Sequence, residues 1–400
     1  MDLNFTPDEL AFREEVRRFF RTEIPESMRK KVLEGQHLTK QETITSQRIL
    51  NAQGWAVPNW PVEWGGKNWS PVQVYMYQDE MQQAGVPSLL GFNTSMVGPV
   101  IAQFGTQAQK ERFLARAANL DDWWCQGFSE PGAGSDLASL RTKAERVGDT
   151  WVINGQKMWT TLAQHADWIF VLCRTDPAAK KQEGISFILC DMKTKGVTVR
   201  PIQTIDGGHE VNEVFFDDVV VPAENLVGKE NRGWDCAKFL LGNERTGIAR
   251  VGASKARLKR IRELATLEHV GEQPLIKNAK FREKLASVEI ELKALEMTQL
   301  RIVADERRRE KGKPNPASSV LKLKGSVIQQ MTTELMLEVV GPYAMPYIDQ
   351  DRAEGRNEPG IGPDFAASAA PTYFNMRKTS IYGGSNEIQR NIVAKAILGF

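Results

Sequence analysis

The chain is expected to adopt an α+β fold of three successive regions: helices over 1–123, an antiparallel β region over 124–231 and a helical bundle over 232–400. Three observations predict it. Apolar residues recur at helical spacing through the first third. From about Cys125 the pattern changes to short segments rich in Val, Ile, Phe and Trp, and after about Arg232 long helical patterns return. No helical pattern separates the short segments, so an antiparallel sheet or barrel fits better than a parallel sheet.

The first helix opens on a capping box, Thr6-Pro7-Asp8-Glu9, with proline at the first helical position and Leu10, Phe12, Val16, Phe19 and Phe20 on one stripe. W-A-V-P-N-W-P-V-E-W-G-G (Trp55–Gly66) cannot continue a helix and reads as a packed loop. Helical pattern resumes over Ser70–Gly85 and Gln107–Ala118. Strands are expected at Thr142–Glu145, Trp151–Ile153, Asp167–Cys173, Ile185–Cys190, Val197–Ile202 and Glu213–Val221, divided by turns such as V-G-D-T and I-N-G-Q. In the last region Glu289–Glu310 is helical, Glu354–Pro363 reads as an excursion loop, and Ser385 is placed to cap a final helix.

Composition removes several function classes. A net charge of +2 gives no reason to expect nucleic acid or a membrane surface, and no apolar run approaches the roughly 18–20 residues of a membrane span. The acidic start M-D-L-N-F-T-P-D-E-L lacks the basic-then-apolar pattern of a secretory signal. Four scattered cysteines (Cys125, Cys173, Cys190, Cys236) and four dispersed histidines offer neither a disulfide framework nor zinc spacing. A cytoplasmic protein without a metal is expected.

S-E-P-G-A-G-S-D (Ser129–Asp136) invites a dinucleotide-fold reading, but Leu137 breaks the Gly-x-Gly-x-x-Gly fingerprint, and helical pattern is read before it where a strand belongs. Its neighbours are more informative. Q-G-F-S-E-P-G-A-G-S-D leads to W-V-I-N-G-Q-K-M-W-T-T and A-D-W-I-F-V-L-C-R-T, with F-G-T-Q-A-Q-K-E-R-F-L upstream and I-Y-G-G-S-N-E-I-Q-R-N-I-V-A-K downstream. This ordered series resembles the acyl-CoA dehydrogenases over nearly the whole chain, and the resemblance implies their fold: helical domain, flavin-facing β domain, helical bundle.

The resemblance also implies FAD, and α,β-dehydrogenation of an acyl-CoA thioester to the trans-2-enoyl-CoA, with electrons passing to electron-transfer flavoprotein. Gln126, Phe128, Ser129, Gly134 and Ser135 match positions that contact the flavin, the serines also bordering the acyl-CoA channel. Small residues there let backbone N–H groups approach the ring heteroatoms. Trp159 and Thr161 match the wall behind the flavin, and Ser385 and Glu387 match cofactor contacts after the tyrosine-glycine turn. The family's usual catalytic glutamate directly follows that tyrosine, where this chain has Gly383. The Gly383 backbone N–H still matches a donor to the thioester oxygen.

The missing carboxylate has a candidate replacement in G-N-E-R-T-G-I-A-R (Gly242–Arg250). In a minority of the family, isovaleryl- and long-chain acyl-CoA dehydrogenases among them, the base lies directly before an arginine on a helix of the last domain, and the post-tyrosine position is small. Glu244 and Arg245 match that pair, with Glu244 as base and Arg245 anchoring the site or the CoA. The bland alternative has Asn243 cap a helix whose dipole Glu244 complements.

Homotetrameric members carry Arg-x-x-Phe-Gly and Gln-x-x-Gly-Gly-x-Gly segments that reach a neighbour's FAD. Leu264–Ile276 and Leu337–Ala344 contain neither. That pattern resembles the large subunits of bacterial heteromeric members, those acting on pimeloyl-CoA and other dicarboxylic thioesters in particular, which implies a paralogous small subunit in an α2β2 assembly; otherwise a homo-oligomer is expected. Two rival readings remain within this frame: an acyl-CoA oxidase-like enzyme, and a non-catalytic structural subunit.

Overall fold

The computed structural model describes residues 4–243, 247, 249–306, 315–347 and 361–400. The first region holds α1 (Pro7–Thr22), α2 (Glu26–Leu33), α3 (Lys40–Ala52), α4 (Pro71–Gln83), a π-helical turn at Phe92–Val97 running into α5 (Gly98–Phe104), and α6 (Gln107–Ala118). Thr6, Thr39, Ser70 and Thr106 each complete a capping box with the third helical residue, so α1, α3, α4 and α6 start where backbone donors find side-chain acceptors. The Trp/Pro/Gly passage is a packed loop, with Trp55 and Trp60 buried and one 3-10 turn at Val62–Trp64.

The middle region contains β1 (Trp124–Gly127), β2 (Lys143–Val147), β3 (Thr150–Thr161), β4 (Trp168–Arg174), β5 (Ile185–Asp191), β6 (Val197–Ile202), β7 (Val211–Pro222) and β8 (Leu226–Val227). The sheet runs β6-β7-β3-β2-β4-β5-β8, with β1 added beside β4. Its long ladders are antiparallel, but β1 pairs parallel with β4, and Lys143 of β2 pairs parallel with Arg174. The purely antiparallel expectation is corrected at these two places. The β2–β3 hairpin lies between β1 and β4 in the chain, a crossover long enough to bring β4 back in parallel.

A second correction concerns I-N-G-Q, expected to be a turn. β3 runs straight through it, because β7 is equally long and pairs with both halves. Gly155 absorbs a bulge there at φ 148°, and a Cβ on it would lie 2.6 Å from Thr142 Oγ1.

One core joins the first region to the sheet. Phe113, Trp124, Phe170, Leu172, Phe187 and Leu189 pack with α1, α3 and the apolar side of the next helix, α7 (Gly233–Asn243). On the other face the sheet curls over itself, with Trp151, Ile153, Val214 and Phe216 against Ile169, Val171, Ile188 and Cys190. The last region continues with α8 (Val251–Leu267), the short hairpin β9 (His269–Val270) and β10 (Gln273–Pro274), α9 (Ala279–Glu306), α10 (Ser318–Val340), α11 (Ala369–Met376) and α12 (Asn386–Val393). Leu258, Ile261, Leu285, Leu292, Leu321 and Ile328 form the core of α8–α10.

α4 anchors the two helical regions to each other. Arg13 and Arg17 of α1 reach Glu80 at 2.5 and 2.8 Å, while Lys255 of α8 reaches Asp79 at 3.2 Å. Burial pushes both carboxyls up. At Glu80 the two guanidiniums outweigh it and hold the group below its ordinary value, whereas at Asp79 burial wins over Lys255 and Arg13. Among the described residues no helix is long and apolar enough to cross a membrane.

Candidate active site

The loop Ser129–Asp136 leaves the end of β1 and is tied at its base. Glu130 and Ala133 exchange backbone hydrogen bonds of 3.1 and 3.0 Å, which turns the residues after them outward. A Cβ built on Gly132 or Gly134 would meet no atom within 4 Å, so the loop faces open space. Ser129 and Ser135 hydroxyls have no hydrogen-bond partner among the described residues. β1 precedes this loop, which corrects the helical pattern read there. The dinucleotide-fold reading still fails, since only a 3-10 turn, Leu137–Ser139, follows.

Gln126 is half-buried on β1, paired with Phe170. Phe128 is buried edge-on against Phe170 and Phe187, so its ring belongs to the core and only its backbone is available to a ligand. Behind the loop, Trp159 sits at φ 62° in a bulge of β3 with its indole side 54% exposed. An exposed tryptophan at positive φ is unusual for a non-glycine residue and marks a surface shaped for something else to lie on. Thr161, half-buried and paired with Val211, also has a hydroxyl without a partner among the described residues.

Loop and wall are joined by a buried ion pair. Lys157 Nζ donates to Glu130 Oε1 at 2.7 Å and to the Phe128 carbonyl at 3.2 Å. Glu130 also accepts the Arg141 and Thr142 backbone N–H groups at 2.7 and 2.9 Å. Burial raises the Glu130 carboxyl, but the Lys157 charge and these hydrogen bonds hold it below its ordinary value. Burial lowers the Lys157 ammonium, partly offset by Glu130.

The π-helical turn Phe92–Val97 packs on both β1 and α7. Such turns occur frequently at functional sites. Asn93, wholly buried, fixes the turn by donating to the Ala117 and Asp122 carbonyls at 3.0 and 2.8 Å. α7 carries the chain to Glu244 and Arg245, which lie outside the described residues. Asn243 is the last described residue of α7, and the segment it was expected to cap, beginning at Glu244, lies outside the described residues.

At the other end of the chain Gly383 and Gly384 both take positive φ, 65° and 79°, and Gln389 Nε2 donates to the Gly383 carbonyl at 3.0 Å. Ser385 caps α12 by accepting the Ile388 N–H at 3.4 Å. Glu387 points to solvent, 3.7 Å from Arg390. No hydrogen bond or ion pair among the described residues joins Ser385 or Glu387 to the Ser129–Ser135 loop. A link runs upstream of the turn instead. Lys378 ion-pairs Glu210, and Asn375 Nδ2 donates to Asp206 at 2.8 Å, while the Glu210 carbonyl accepts Leu162 N–H at 2.8 Å beside the tryptophan wall.

An exposed tryptophan beside a loop of small residues whose serine hydroxyls have no partner among the described residues fits an isoalloxazine ring, which needs an apolar face and edge donors. Sequence reading missed Asn93, Glu130 and Lys157. The available signal was a lysine at an inward place in the alternation Trp151, Ile153, Lys157, where a buried charge demands a partner.

The comparisons with known proteins bear on the family and the fold. Residues 6–121, 125–219 and 231–398 match the N-terminal, middle and C-terminal domain models of acyl-CoA dehydrogenase. The chain is 36% identical over 368 residues to acyl-CoA dehydrogenase IpdE1 of Mycobacterium tuberculosis, covering 91% of this chain and 89% of that one. It is 32% identical to acyl-CoA dehydrogenase FadE26 of the same organism, covering 100% and 98%. Among solved structures, the ChsE4-ChsE5 complex from Mycobacterium tuberculosis superposes with TM-score 0.83 at 31% identity, covering 100% and 99%. The Tcur3481-Tcur3483 steroid ACAD gives TM-score 0.85 at 29%, with the same coverage.

Proposed function

The chain belongs to the acyl-CoA dehydrogenase family and is an FAD-dependent oxidoreductase, and from that premise we propose that it dehydrogenates a bulky acyl-CoA thioester as one of two unlike subunits. The carrying observation is the exposed Trp159, in a strand hydrogen-bonded through Met158 to the open Ser129–Ser135 loop. Bound FAD supplies the acceptor for the hydride that leaves the β-carbon.

The chain's own residues do the rest. Glu244 removes the α-proton, and the Gly383 N–H donates to the thioester oxygen as enolate charge develops there. Two partially independent groups are needed because an α-C–H is a weak acid; a base without an oxyanion donor leaves the charge unstabilised. Arg245 anchors the site or the CoA. Ser129, Ser135, Gly134 and Gln126 hold the flavin's edge, Phe128 contributes backbone, Trp159 and Thr161 back the ring, and Ser385 and Glu387 lie toward the cofactor from the C-terminal turn.

Two observations support unlike subunits. Leu264–Ile276 and Leu337–Ala344 lack the arginine and glycine-rich turn with which homotetrameric members complete a neighbour's FAD pocket. Two structural relatives are titled as paired proteins, one of them as a steroid ACAD. Likeness to a steroid ACAD favours a ring-bearing acyl group. A second substrate reading, a dicarboxylic thioester such as pimeloyl-CoA, rests on W-W-C-Q-G-F-S-E-P-G and L-L-G-N-E-R-T-G-I-A-R. In either case electron-transfer flavoprotein takes the electrons onward.

Expressing the chain alone and with a paralogous small subunit tests the assembly. Stoichiometric FAD and full activity should require both chains; a fully loaded, fully active homomer would sink the reading. Anaerobic bleaching by steroid-side-chain, dicarboxylic and straight-chain acyl-CoA thioesters then separates the substrate classes.

A further inference from the structure

Trp159 lies in a bulge of β3. Lys157 pairs with Val214 and Thr160 with Asn212, so Met158 and Trp159 together stand opposite the single residue Glu213 of β7. Met158 N–H turns the other way and donates to the Ser129 carbonyl at 2.8 Å. The strand segment that carries Trp159 is therefore tied to the loop as well as to β7.

Three contacts make that connection: Met158 N–H to Ser129, Lys157 Nζ to the Phe128 carbonyl, and Lys157 Nζ to Glu130. Glu130 in turn grips the backbone of Arg141 and Thr142, where the chain leaves the loop. The pair's side chains are 0% and 8% exposed. Burying an ion pair is a poor route to stability, since well-packed apolar residues of similar size do as well or better. What this pair does supply is position, because Lys157 Nζ is held by two acceptors and the Glu130 carboxylate by three donors drawn from different segments.

We propose that Lys157 and Glu130 are positioning residues for the flavin: their buried ion pair fixes the Ser129 edge and the Trp159 wall at one separation and one angle. Neither side chain needs to touch the cofactor. The inference rests on the flavin-facing reading of Ser129 and Trp159.

The test uses Glu130→Gln, Lys157→Met and the double variant, in the full chain and in the assembly the wild type forms. Three quantities are measured: thermal melting without FAD, the Kd for FAD, and the visible circular dichroism of the bound flavin, which reports the asymmetry of its surroundings. The double variant should melt within a few degrees of wild type, about what an apolar replacement of a buried pair permits. Its FAD Kd should nevertheless rise about tenfold, the loss of roughly one hydrogen bond's alignment, and its flavin band should change. Should Lys157→Met alone not fold, the double variant still decides. Wild-type Kd and band in the folded variants would overturn the proposal, as would a double variant that loses melting temperature and FAD affinity together. Trp159→Ala separates the two levels. If it leaves the flavin band unchanged, the flavin-facing reading has failed; if it changes the band while the pair variants do not, only the positioning role has failed.

Discussion

Asn93 Oδ1 accepts the backbone N–H of Trp124 at 3.0 Å, so one buried amide ties the π-helical turn of the first region to the first residue of β1. The loop proposed to face the flavin begins just beyond that strand. Replacing Asn93 with Ala strands Trp124 N–H and takes the amide away from the Asp122 and Ala117 carbonyls, the latter still accepting from Gln47 Nε2 at 3.3 Å. At about 1 kcal/mol per buried bond, the loss should be about 2–4 kcal/mol, read as a lower urea midpoint with unchanged slope. A variant as stable as wild type would show that the turn is held by packing alone.

Gly383 sits at φ 65°, where an L side chain is strained by about 1–2 kcal/mol. Gly383→Ala should therefore lower stability by that amount and weaken turnover, because the N–H proposed as donor to the thioester oxygen moves with the backbone. Chemical denaturation and steady-state kinetics on the same preparation check both effects. Unchanged kinetics would separate the turn from the site.

The Glu130 carboxyl is held below its ordinary value in the folded state, burial being outweighed by Lys157 and the Arg141 and Thr142 N–H groups. A depressed acid contributes stability that is complete above the unfolded carboxyl's pKa, about 4.3, and is lost as pH falls through the folded value. Melting temperature followed from pH 7 to 3 should thus fall less steeply in Glu130→Gln than in wild type below about pH 4. Parallel curves would remove the pair from the acid response.

All four cysteines are buried, and burial pushes the Cys173, Cys190 and Cys236 thiols up to about 12. Since the thiolate is the reactive form, native protein should resist thiol reagents at neutral pH and react at four sites once denatured. Labelling counted by mass spectrometry checks this. Fast modification of Cys125 in particular would contradict the packing around β1.

Much of the fold could be read from the sequence, where local chemistry decides it. The Thr6 capping box, α6 at Gln107–Ala118 and β6 at Val197–Ile202 stand where the pattern puts them, because caps and alternation are short-range signals. Errors arose where a distant partner decides. β1 owes its form to β4, β3 crosses an apparent turn because β7 is long enough to pair with it, and the Phe92–Val97 turn depends on Asn93 reaching β1. The proposed flavin-facing residues were assigned through ordered motifs, whereas Glu130 and Lys157, 27 residues apart in the chain, become a pair only once the fold places one against the other.

The assignment of Glu244 is tested most directly by anaerobic mixing of an accepted acyl-CoA with FAD-loaded wild type and Glu244→Gln, following bleaching of the flavin. Removing a general base should slow bleaching about 10²–10⁴-fold while acyl-CoA still binds. Bleaching at the wild-type rate would contradict Glu244 as the base.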